Sequence, residues 1–109
     1  MAFTSVTLNE TVEPSKEPLV AIVIDTADYK ESLGYPKNTR LVCNTAQPAF
    51  QKDRISIVRR KGHDEFEVLR VDGKSRAFID FHDPRTRNNF KVSFRDILCA
   101  YVVSHVVMP

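Results

Sequence analysis

The sequence predicts an all-β fold, a twisted sheet or half-open barrel with at most one short helix. Three observations predict it. Apolar and polar residues alternate with a period of two across several segments, as half-buried strands require. Runs rich in β-branched side chains open and close the chain's apolar part. Turn signals built on Gly, Pro, Asn and Asp recur at roughly the 8–12-residue spacing of small β-domains. The 109 residues match one domain, and 42% hydrophobic with 28% charged residues is ordinary globular composition.

Each element follows in order. Residues 1–18 are dominated by Thr, Ser, Glu and Pro and read as an extended leader or linker, in which Val6 and Leu8 alternate with polar neighbours as an added edge strand would. The domain proper spans 19–109. Leu19–Ile24 is a buried strand by composition. Residues 25–36 are polar, and Thr26–Ser32 has the makings of one or two helical turns capped by Asp25 or Thr26. Thr39–Cys43 is a short strand. Residues 54–59 and 65–71 alternate around a polar connection containing Gly62, which predicts a β-hairpin. Asp72-Gly73 signals a second tight turn, with residues 76–81 as the partner strand, ended by Asp83-Pro84. Asn88-Asn89 reads as a loop before the alternating stretch 90–94, and 93–98 is the other place where a helical turn fits. Ile97–Met108 is a long apolar stretch expected to be a central strand.

Composition excludes several function classes. The longest uncharged apolar stretches fall far short of the roughly 20 residues of a membrane helix, and no secretory signal opens the chain. Cys43 and Cys99 sit in apolar runs, which predicts buried thiols in a reducing cytoplasm rather than a disulfide. His63, His82 and His105 are dispersed. No ligand spacing for a metal, no phosphate-binding glycine loop and no cofactor motif is present, so no metal or cofactor is expected. His82-Asp83 is a pair that could orient a base, but the sequence places no nucleophile beside it.

The net charge of +2 is uneven: residues 1–36 carry −4 and residues 37–109 carry +6. The basic residues Arg54, Arg59, Arg60, Lys61, Arg70 and Arg76 cluster on the hairpins. On one shared face they would form a cationic ridge able to hold phosphates, an alternative function as a nucleic-acid-binding β domain. The apolar ending favours pairing with protein: Tyr101, Val103, His105 and Val107 are the candidate interface with a second copy.

Five segments, in this order, resemble the C-terminal domain of LexA-type and phage CI-like repressors, the serine–lysine self-cleaving peptidases. They are Leu19–Asp25, Tyr35–Val42, Gln51–Arg59, Phe66–Val71 and Asp96–Val103. The resemblance spans about residues 19–108. It implies a LexA-like sheet, pairing through the late strand, and a role in phage or mobile-element transcription control. It also implies a nucleophilic serine followed by Met, and a lysine base. Anchored on the preceding strand, the serine position holds Thr26, followed by Ala27; counted back from Tyr35-Pro36 it holds Lys30, followed by Glu31. Neither is Ser-Met, and the lysine position holds Leu69. An isobutyl group cannot take a proton from a hydroxyl. The expectation is therefore a non-catalytic, peptidase-like oligomerisation domain whose partners are itself and a transcriptional regulator. It would be a fragment of a longer repressor or a stand-alone protein. An active peptidase using Thr26 or Ser32 with another base is the enzymatic alternative.

Overall fold

The computed structural model describes residues 3–6 and 19–109. Among these residues eight strands follow in chain order: β1 (Phe3–Val6), β2 (Leu19–Ile24), β3 (Arg40–Asn44), β4 (Ile55–Arg60), β5 (Glu67–Lys74), β6 (Phe78–Asp83), β7 (Asn88–Ser93) and β8 (Ile97–Val107). They form one sheet in the order β1-β2-β3-β8-β4-β5-β6-β7, and every neighbouring pair is antiparallel. The only α-helix among the described residues is α1 (Lys30–Leu33), and a 3-10 turn covers Phe94–Asp96. The predicted all-β class with one short helix is what the chain adopts, and the sheet is open, with β1 and β7 at its edges.

The order has one crossover that matters. β4 to β7 is a meander of sequential hairpins, but β8 returns to lie between β3 and β4. It joins the two halves, and its β-branched composition suits a strand with neighbours on both sides. β8 pairs with β4 only over Ile97–Val102, whereas β3 pairs with it out to Val107.

Both faces of the sheet carry a core, which strand alternation makes possible. On one face lie Ile22, Ile24, Leu41, Cys43, Ile57, Val68 and Val103, covered by Tyr29 of the 25–38 connection. On the other lie Val58, Leu69, Val71, Ile79, Phe81 and Val92, where Phe50 packs edge-on to Phe81, ring centres 6.1 Å apart. Successive residues such as Ile57 and Val58, or Val68 and Leu69, thus serve opposite cores.

Three local expectations are corrected. Asp72-Gly73 is not a turn: β5 runs through it with a bulge between Val71 and Gly73, and the reversal comes at Ser75–Ala77, where Ser75 N–H donates to Phe78 O at 2.8 Å. Such a turn needs positive φ at both central residues; Gly73 does not have it, and the Asp72 carboxylate is instead held by Arg70 Nε at 2.9 Å. Asn88-Asn89 is the start of β7, and the preceding reversal closes on Arg87, whose φ is 66° and whose N–H donates to Asp83 O. Helix α1 starts later than expected, after Tyr29, with no side-chain cap, and ends at Gly34 with φ 74°. The Thr26 hydroxyl accepts from Asp28 N–H, closing a turn rather than capping a helix. Of the leader, only β1 is described, paired with β2; Leu8 and the remaining leader expectations lie outside the described residues.

Candidate functional site

The two positions that the repressor resemblance assigns to a catalytic dyad lie in different surroundings. Thr26 follows β2 in the 25–38 connection, and its hydroxyl is engaged by Asp28 N–H. Leu69 has no exposed surface and belongs to the second core, on the opposite face of the sheet. Its neighbours are aliphatic and aromatic, so no proton acceptor stands there. Ser32, the other candidate nucleophile, is exposed on α1.

The basic residues do not share one face. Arg60 lies on the second-core side, over the Phe90 ring at 4.9 Å, and donates through two nitrogens to Glu67 at 2.7 and 2.9 Å. That fork keeps its charge inside the domain, and the Glu67 carboxylate raises its already high pKa. Arg59 and Arg70 point to the first-core side: each neighbours a second-core residue in its strand, Val58 and Leu69 respectively. Arg70 is tied to Asp72. Arg54 donates to Val103 O at 3.1 Å. Lys61 and Arg76 are exposed.

The late strand divides as well. Val103 is 8% exposed and part of the first core, and Tyr101 packs against that core beside Phe66. Val103 is closed off inside the domain, and Tyr101 is half-buried. His105 and Val107 are exposed, together with Val106 and Met108. Because β4 ends its pairing at Val102, Ser104–Val107 have a strand neighbour on the β3 side only. Sequence periodicity could flag the apolar run, but where a neighbouring strand stops is a tertiary fact.

A cleft of about 350 Å³ opens between α1 and the first-core side of β4–β6. Register builds it: Ile55 faces Arg70, Arg70 faces His82, and His82 faces Asn89, a straight row across four strands. Ser32 and Glu31 come from α1, and Arg87 from the turn after β6. His82 Nδ1 lies 2.6 Å from Asn89 Oδ1. No lysine lines the cleft. Among the described residues no cluster of three His, Cys, Asp or Glu could hold a metal, and no helix is long and apolar enough to cross a membrane. Cys43 and Cys99 are free thiols; burial pushes the Cys43 pKa up to about 12.

Comparison with protein-family models, with curated proteins and with solved structures finds no match for this chain.

Proposed function

We propose that this chain is a non-catalytic association domain that pairs with a second copy through the protruding end of β8, and that it serves transcription control of the kind the repressor resemblance implies. One observation carries the pairing. Beyond Val102, β8 continues with its β4-side backbone groups uncovered by any strand and with Val106, Val107 and Met108 36–51% exposed. An unpaired strand edge bearing apolar side chains is a template for another strand. A second copy laid antiparallel there would satisfy both edges by the same contacts, the simplest closed symmetry. The role of a transcriptional regulator as a further partner rests on the resemblance alone.

Enclosure of Leu69 among the apolar side chains of the second core, where no proton acceptor stands, supports the non-catalytic half of the reading. Sedimentation velocity across a hundredfold range of concentration tests the association: the chain is expected to sediment as a dimer, and Val107→Lys as a monomer. A wild-type chain that stays monomeric throughout sinks the proposal. Incubation at pH 9 followed by intact-mass measurement should show an unchanged mass; a defined smaller fragment would restore the peptidase alternative.

A further inference from the structure

The cleft beside α1 is lined by residues other than those of the β8 end and has a chemistry of its own. We infer that it binds a small phosphate ester carrying hydroxyl groups, of the size of a pentose phosphate. Three nitrogen-bearing side chains from separate segments converge on it: Arg70 from β5, His82 from β6 and Arg87 from the following turn. Arg70 commits its Nε to Asp72, which orients the guanidinium and leaves its two terminal amino groups. Arg87 takes part in no ion pair among the described residues. With the Asn89 amide oxygen as acceptor, His82 Nδ1 carries the proton, fixing the ring and leaving Nε2 as its free nitrogen.

Two planar guanidiniums match the several acceptor oxygens of a phosphate better than they match a single carboxylate, and the unprotonated His82 Nε2 accepts from a ligand hydroxyl. The remaining lining argues for the rest of the ligand. Glu31 is a carboxylate on the same cleft, which accepts from hydroxyls and disfavours a second anionic group, and Ser32 both donates and accepts. Leu33, Ile55 and Pro84 supply an apolar wall for a carbon skeleton. A volume of about 350 Å³ is at the small end of ligand pockets. It admits a sugar phosphate and leaves little room for a larger body.

The experiment is an NMR titration of the full chain, following the amides of Ser32, His82 and Arg87. The probes are ribose 5-phosphate, inorganic phosphate and ribose. Saturable shifts are expected with ribose 5-phosphate, weaker ones with inorganic phosphate and none with ribose. Equal affinity for inorganic phosphate would support the anion site and name free phosphate as its occupant. Arg87→Asn removes the charge but keeps a residue tolerant of the left-handed backbone at this position. It should weaken binding about tenfold with an unchanged fold. Lys91→Ala, outside the cleft, should leave binding intact. Absence of saturation with any phosphate, binding of ribose as tight as its phosphate, or equal losses in the two variants would overturn the inference.

Discussion

Leu69 shows how one side chain sets what the scaffold can do. Leu69→Lys would restore the residue type that the repressor resemblance expects, yet it would push an ammonium among Val58, Phe81 and Val92 with no partner. Such a burial costs several kcal/mol. The variant should melt far lower and still fail to cleave; a folded, self-cleaving Leu69→Lys would contradict the placement of the two cores. Arg60 and Glu67 make the opposite point, since their forked contact is about four-fifths shielded from solvent. Glu67→Gln should lower stability by about 1–3 kcal/mol, read from denaturant unfolding. Two groups report through pH. Burial raises the Tyr29 phenol from 10.0 to about 12, partly offset by Arg85, and raises the Cys43 thiol from 9.0 to about 12. Both raised values favour the protonated, folded form. The stability they add is complete below pH 9 and drains as pH climbs toward 12. Tyr29→Phe should flatten the part of that alkaline loss above pH 10 in thermal melts.

The elements show which sequence signals reach the fold and which are overruled. Alternation over 54–59 and 65–71 was legible because each strand has a core on both sides, so every position had a defined partner. Gly62 was legible too, because its φ of 82° is one that few other residues accept. Asp72-Gly73 misled because a local turn preference competes with the register that keeps Val71 against Phe81, and a bulge satisfied the register. The contrast is measurable. Gly62→Ala should cost about 1 kcal/mol. Gly73→Ala, whose added carbon would meet nothing closer than Asp80 Oδ2 at 3.7 Å, should change stability by less than about 0.5 kcal/mol. If the two costs reverse, the turn sits where the dipeptide alone would put it. The cleft was illegible for a different reason: Ser32, Arg70, His82 and Arg87 are brought together by pairings far apart in the chain, which no local pattern records.

At the scale of the whole molecule, the insertion of β8 between β3 and β4 makes one sheet of two halves and creates the protruding end at once. A strand of eleven residues flanked by one of six leaves an overhang. The apolar side chains there were visible in the sequence as an excess of valine. Tyr101 and Val103, read from the same run, turned out to serve the first core. Amide hydrogen exchange over Ser104–Val107, compared between dilute and concentrated solutions, addresses that overhang residue by residue. Pairing between copies predicts slow exchange at high concentration and fast exchange on dilution for amides facing away from β3. Rates that stay fast and equal at both concentrations would mean that no second strand docks there.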